Sequence, residues 1–335
     1  MTPRHVVLAV LVAVIWGFNF VVIEWGMHGV PPLLFVALRF TVVLVPAIFV
    51  VPRPQAPVTT VVAVGTFMSL GQFGLLYTSM HLGMPPGLAA LVLQAQVLFT
   101  VLIAAGWLGE RPTARQLVGI LVGTGGLVLV GIGRGGHVPL GALLLCLAGA
   151  LSWGIGNVVS RRASVSSGLS LAVWSSLVVP LPLLLLSVGL DGPATVGHAL
   201  GHLGWQALAS TAYTAGLASL AGYSIFNGLL ARYPASSVVP FVLIAPPVAM
   251  LSAWALLDQV PRTTELIGGA VVLGGVLVTL RRRPAAPAVR TDRSLPALGV
   301  GRTRVLGHVD QRRDDPSGGE VGAQLVDLLD GAEAG

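Results

Sequence analysis

Two tryptophan–asparagine pairs interrupt the long apolar runs of this chain, Trp16 with Asn19 and Trp153 with Asn157. The first pair falls at i, i+3 and continues to Ile23 at i+7; the second falls at i, i+4, so each marks one stripe of a helix. An asparagine amide both donates and accepts hydrogen bonds, which suits a ligand bearing an ammonium and a carboxylate. The competing reading is that each asparagine bonds a neighbouring helix; for the symmetric pair the two readings weigh equally. Gln72, Gln94 and Gln96 add further amides. Gln94 and Gln96 are about 200° apart on an ideal helix, so only one of them is expected to face a given cavity; Gln94 is taken as that one and Gln96 as packing glue. Tyr223 and Asn227 share a face at i, i+4 and are further, weaker candidates. Arg39 lies about 9 Å into its helix at ~1.5 Å per residue, deeper than any other charge. An arginine near a bilayer centre costs about 2.5–3.5 kcal/mol on insertion scales. Either it snorkels outward as an anchor, or its planar fork engages a substrate carboxylate. Glu24, outward of it on the preceding helix, is its candidate resting partner.

These residues can bind, but the means to break bonds are missing. All 19 basic residues are arginine. Without lysine there is no P-loop lysine at a phosphate and no amine for a Schiff base. A single cysteine, Cys146, excludes an intramolecular disulfide and a cysteine-rich metal site, and reads as a small buried hydrophobe. His28, His81 and His137 lack metal-ligand spacing. No Asp-rich motif lies at a membrane-facing loop to hold Mg²⁺ for a membrane transferase, and there is no Ser/His or metal–His cluster for a hydrolase. No cofactor or metal is expected, and no enzyme. No span carries an acid near its middle, so no clear proton-coupling residue is seen; Glu24 could carry protons, but the interfacial-carboxylate reading weighs more.

The elements that must hold these side chains are transmembrane helices. The chain has 335 residues, 54% hydrophobic and only 10% charged, where soluble domains carry about 25% charged residues. Ten runs approach the roughly 20 apolar residues needed to cross a bilayer. They are Val6–Trp25, Leu33–Val51, Val58–Met80, Gly87–Leu108, Gln116–Ile132, Leu140–Val159, Leu169–Leu190, Trp205–Leu230, Ser236–Leu257 and Thr264–Leu280. Residues 1–283 hold 13 arginines against five acids, a net of +8. With the N-terminus inside, the cytoplasmic segments carry Arg4, Arg53, Arg111, Arg115, Arg161, Arg162, Arg232 and Arg281 to Arg283. The outer segments carry only Arg134 and Arg262, a clear positive-inside bias. Both termini are then expected in the cytoplasm. The arginines orient a membrane protein, and no basic stripe interleaved with aromatics points to nucleic acid. Residues 284–335 lack apolar periodicity and are expected to form a disordered cytoplasmic tail with at most a short helix at Val321–Leu329.

The body reads as two copies. Ala13-Val-Ile-Trp16-Gly17 recurs as Ala150-Leu-Ser-Trp153-Gly154. Glu110-Arg-Pro112, Leu117-Val-Gly119 and Gly125-Gly126 recur as Asp258-Gln-Val-Pro261, Leu266-Ile-Gly268 and Gly274-Gly275, at a constant offset of 149 from the proline onward. Residues 1–134 and 135–283 are therefore expected to be two five-helix repeats. Five is odd, so the copies lie inverted in the membrane, an arrangement typical of transporters. Gly119-x-x-x-Gly123 and Ala270-x-x-x-Gly274 are expected to be close-packing helix faces.

Four stretches carry a more specific likeness. They are Trp16-Gly-Phe-Asn19-Phe, Pro31-Pro-Leu-Leu-Phe-Val-Ala-Leu-Arg39-Phe40, Gly83-Met-Pro-Pro-Gly-Leu-Ala-Ala-Leu-Val-Leu-Gln94-Ala-Gln96 and Gly109-Glu110-Arg. With them, residues 5–281 resemble the EamA-type family of the drug/metabolite transporter superfamily. The Leu-Gln-Ala-Gln stretch and the Gly-Gln72-Phe segment are most similar to its bacterial exporters of O-acetylserine and cysteine. The resemblance implies an all-α fold of ten membrane helices, an inner-membrane location and export of small amino-acid-like metabolites. A drug efflux carrier of the same fold, an integral membrane enzyme and a passive partner subunit stay as rivals, which uptake by purified protein in liposomes separates.

Overall fold

The structure, a computed structural model, describes residues 1–133, 138–163 and 168–280. Arg134, His137, Arg281 to Arg283 and the segment expected as a tail lie outside the described residues. Among the described residues every regular element is helical. Among the described residues nine helices are long and apolar enough to cross a membrane: α1 (Pro3–Gly26), α2 (Pro32–Val50), α3 (Val58–His81), α4 (Pro86–Trp107), α5 (Ala114–Gly133), α6 (Leu140–Arg162), α7 (Gly168–Asp191), α9 (Val239–Leu257) and α10 (Thr263–Leu280). The helix expected at Trp205–Leu230 is present as α8, residues 205–232. Its Ser, Thr, Tyr and Gly content keeps it out of that apolar set. A short helix, Pro193–Gly201, joins α7 to α8 and buries Val196 and Ala199.

Local sequence sets the helix ends. Proline opens α1, α2 and α4, where its missing N–H has no helical partner to lose and its fixed φ is already helical. Gly83 closes α3 with φ of +98°, a conformation that costs a side chain dearly. The bundle wears its apolar residues outside as well as inside: Phe49, Leu121, Ile132 and Leu190 are each more than 70% exposed. Such a surface suits hydrocarbon and would drive a soluble protein to associate. The chain is a multi-pass membrane protein.

The helix contacts come in matched sets. α6 packs on α3 and α4, while α1 packs on α8 and α9. α2 meets α7, and α5 meets α10 along their lengths. On α5 the contact stripe is Gly119 and Gly123, as expected, extended by Gly126. A side chain at Gly126 would meet the Gly268 carbonyl and the Val272 backbone; one at Gly275 would strike the Gly119 carbonyl. On α10 the stripe is therefore Gly268, Val272, Gly275 and Thr279. Ala270 and Gly274, expected to form a close-packing face, are exposed, and Gly274 has open space around it. At about 100° per residue each lies about 200° round the helix from the stripe residue two positions before it, Gly268 and Val272, and so faces outward.

Two pairs of irregularities matter for the interior. α3 is π-helical over Gly65–Gly71, and α8 is π-helical over Tyr213–Ala221. The second stretch starts 148 residues after the first and ends 150 after it. In α4 the α pattern stops at Val92 and restarts at Ala95. The N–H groups of Gln94, Gln96 and Val97 there bond carbonyls only three residues back. At the offset of 149 read from the sequence, Leu93–Gln94 corresponds to Val242–Leu243, inside the 3₁₀ segment Val239–Ile244 that opens α9.

Candidate functional site

A cavity of about 330 Å³ lies where these irregular segments meet. Met68 and Ala218 come to its wall from the two π stretches; Leu93, Gln94, Val242 and Leu243 come from the broken parts of α4 and α9. Short π stretches are frequent at functional sites because the extra residue per turn disturbs the regular display of side chains. The volume sits at the small end of ligand pockets. A cleft of about 90 Å³, lined by Ser69, Ser175, Ser176 and Ser219, shares Arg39, Gln72, Trp153 and Tyr223 with the main cavity.

Of the nine residues singled out, eight line the main cavity: Trp16, Asn19, Arg39, Gln72, Gln94, Trp153, Asn157 and Tyr223. Asn227 does not. It faces Gly168 at the start of α7, while Tyr223 and Phe226 supply the cavity wall from α8. The four-residue step to Asn227 climbs ~6 Å along the helix and turns ~40°, enough to leave the cavity. Gln96 lines the cavity together with Gln94, against expectation. The ideal-helix angle fails because the helix is broken and tightened between them, and the three-residue bonds change the turn per residue.

The two Trp/Asn pairs share the cavity but hold different hydrogen bonds. Trp16 donates its indole N–H to the Ala218 carbonyl at 2.9 Å, with its ring against Tyr223 and Phe226. Asn157 donates to Gln96 Oε1 at 2.7 Å and to Thr100 at 3.2 Å, so it ties α6 to α4. Asn19 differs. It is 7% exposed, and its Oδ1 has no hydrogen-bond partner among the described residues. An unsatisfied buried acceptor costs about 1–3 kcal/mol.

Arg39 is 3% exposed and does not snorkel. Its Nη1 donates to the Tyr77 hydroxyl at 2.9 Å and its Nη2 to Ser219 Oγ at 3.1 Å. Its guanidinium carbon stands 4.4 Å from the Phe73 ring centroid and 5.5 Å from that of Phe40. The ring faces partly offset its desolvation. The Glu24 pairing does not form. Arg39 has no carboxylate partner among the described residues, and Glu24 Oε2 is buried without a hydrogen bond. Nε of Arg39 is also unpartnered. None of the residues lining the cavity is acidic.

Tyr77 and Ser219 were not legible as site residues. The available signal was chemical: a tyrosine buried in a span needs a partner for its hydroxyl, and so does a buried arginine. The extra turn residue that brings Ser219 to Arg39 is seen in its own bond, from Oγ to the Thr214 carbonyl five residues back. Elsewhere, Cys146 is buried with its Sγ toward the Ala89 carbonyl. Among the described residues no three His, Cys, Asp or Glu side chains come together as a metal site would require.

Comparison with known proteins places this chain in a family. The model of the EamA-like transporter family matches residues 4–132 and again 140–281. A probable amino-acid metabolite efflux pump of Escherichia coli (strain K12) is 39% identical over 286 residues, covering 84% of this chain and 96% of that protein. Its counterpart in Salmonella typhimurium is equally similar. A probable terminal-alkyne amino-acid exporter of Streptantibioticus cattleyicolor is 31% identical over 285 residues, 82% of this chain and 92% of that protein. A match over most of both halves, joined to relatives matched nearly end to end, settles the assignment: this chain, a membrane protein, belongs to the EamA-like transporter family.

Proposed function

We propose that the protein exports amino acids related to cysteine and O-acetylserine across the inner membrane by alternating access. One observation carries the reading. A single cavity joins a buried guanidinium that lacks a carboxylate to a buried amide oxygen that lacks a donor. Arg39 then takes the substrate carboxylate and Asn19 Oδ1 its ammonium, with Gln72 and Gln94 as further polar contacts. The names of the relatives, two amino-acid metabolite efflux pumps and an amino-acid exporter, support the same class of cargo.

The architecture under this reading is ten spans in two inverted five-helix repeats with both termini cytoplasmic. It is supported by the matched contacts of α1 and α6, by the π stretches 148–150 residues apart and by the arginine distribution. Overproduction is expected to raise extracellular cysteine and O-acetylserine, and purified protein in liposomes to catalyse counterflow of the labelled compounds. Protection of cells only against bulky lipophilic cations would reassign the protein to drug efflux. Turnover of a membrane substrate without counterflow would make it an enzyme.

A further inference from the structure

The two ends of the bundle differ in charge. At the end where α1 begins and α10 stops, the described residues carry seven arginines, Arg161, Arg162 and Arg232 among them, against one acid, Glu110. At the opposite end they carry Arg262 against Glu24, Asp191, Asp258 and Glu265. The cavity reaches the basic end. Asn157 and Phe226 line it within two turns of Arg161 and Arg232, and Val239 and Val242 line it from the start of α9. Toward the acidic end it is closed. Met27, Leu34, Phe35, Met80, Met84 and Leu88 are buried there in one cluster, and none of them lines the cavity.

The chain leaves α10 at the rim of this cavity, because Leu280 both ends the helix and lines the wall. Residues 281–335 lie outside the described residues, and from 282 on they lie outside the family match. Their sequence is segregated by charge. Residues 281–313 hold nine arginines and two acids. Residues 314–335 hold six acids, Asp314, Asp315, Glu320, Asp327, Asp330 and Glu333, and no base. Blocks of like charge often serve as interaction tails. Among these acids Val321, Leu325 and Leu328 fall at i, i+4 and i+7, the spacing of one helical stripe. The block thus matches the mouth twice over. Its acids suit the arginines around the opening, and its aliphatic side chains suit the apolar wall formed by Phe226, Val239, Val242 and Leu280. The 33 residues before it span up to about 110 Å at ~3.3 Å each, so the block can reach the mouth of its own bundle.

Resting on the export reading above, we infer that residues 314–335 dock at the arginine-rimmed mouth of the cavity and close it, so that the chain carries its own inhibitor. The arginines at this end then have a second role beside orienting the protein: they hold the acidic block over the opening.

The test compares the full chain with a full-length variant whose six acids are neutralised, Asp314→Asn, Asp315→Asn, Glu320→Gln, Asp327→Asn, Asp330→Asn and Glu333→Gln. Tethering sets a local concentration of about 1 mM, so a block that binds at about 0.5 mM keeps the mouth closed about two-thirds of the time. Val239→Cys, in a Cys146→Ala background of each chain, is labelled in neutral detergent by a polar maleimide too bulky to pass a docked tail. The chain with its acids intact is expected to react about threefold more slowly, and to lose that difference in about 1 M salt. Counterflow of labelled cysteine in phosphatidylcholine liposomes is likewise expected to be about threefold slower with the acids intact. Equal labelling overturns the docking, and slower labelling with equal counterflow overturns the inhibition. Protection that fades on dilution puts a second copy's tail in the mouth and overturns the contact within one chain. If labelled cysteine enters with neither chain, the export reading fails by itself, and the labelling alone decides the docking.

Discussion

Arg39→Lys keeps the charge in the cavity and changes the number of hydrogens it can give. A guanidinium carries five N–H donors and an ammonium three. Two of the five are spent on Tyr77, at 2.9 Å, and on Ser219, at 3.1 Å. Three remain for a ligand, which permits a two-pronged grip on a carboxylate. A lysine that holds the same two hydroxyls has one donor left. The variant therefore loses one charge-assisted hydrogen bond to the substrate, about 1.5–3 kcal/mol, or roughly 10- to 150-fold at 1.4 kcal/mol per decade. Counterflow at low substrate concentration, normalised to reconstituted protein, should fall by that factor in Arg39→Lys. Arg39→Leu should insert more readily and show no amino-acid transport. Tyr77→Phe frees a donor, so Arg39→Lys with Tyr77→Phe should be no worse than Arg39→Lys alone; shared-network residues depart from additivity in this way. Wild-type counterflow in Arg39→Lys, or a double variant reduced by the product of both single effects, refutes the donor count.

Other outcomes follow from close contacts and topology. Gly222→Ala places a methyl group 2.7 Å from Trp16 Nε1; it should dislodge the indole from the Ala218 carbonyl, cost about 1–3 kcal/mol and lower both melting temperature and transport. Gly275→Val sets a side chain 2.6 Å from the Gly119 carbonyl in the α5–α10 contact, and should lower the melting temperature in detergent, whereas Gly125→Ala, in open space, should leave it within about 0.5 kcal/mol of the parent. A reporter active only outside the membrane should be silent when fused after Arg283; activity there would overturn the topology.

What could be read from the sequence divides along physical lines. Hydropathy and proline punctuation located the nine apolar helices and the extent of α8, because lipid and backbone hydrogen bonding constrain each span separately. Eight of the nine residues singled out line the cavity, because a polar side chain in a span is expensive wherever it does not face inward. The errors arose where the backbone departs from the regular α-helix or where partners come from afar. Gln96 was set aside on an ideal helical wheel that the break at Leu93–Gln94 invalidates. Glu24 was paired with Arg39 from proximity along neighbouring spans, while the actual partners, Tyr77 and Ser219, lie 38 and 180 residues away. The Ala270/Gly274 spacing matched a packing motif, yet spacing alone does not say which face of α10 meets α5.

The π stretches of α3 and α8 have a consequence for water. Each has a backbone carbonyl capped by a side chain from the other half of the chain: Phe67 by Ser152 Oγ at 2.7 Å, and Ala218 by Trp16 Nε1 at 2.9 Å. In hydrocarbon an uncapped carbonyl costs several kcal/mol. Parting α1 from α8, or α6 from α3, therefore strands a carbonyl unless a water molecule arrives to replace the lost donor. The two halves hold each other's stoppers, and the bundle can loosen only along a seam that has already become wet. Under the alternating-access reading, entry of water at these two carbonyls is expected to accompany the parting of the helices.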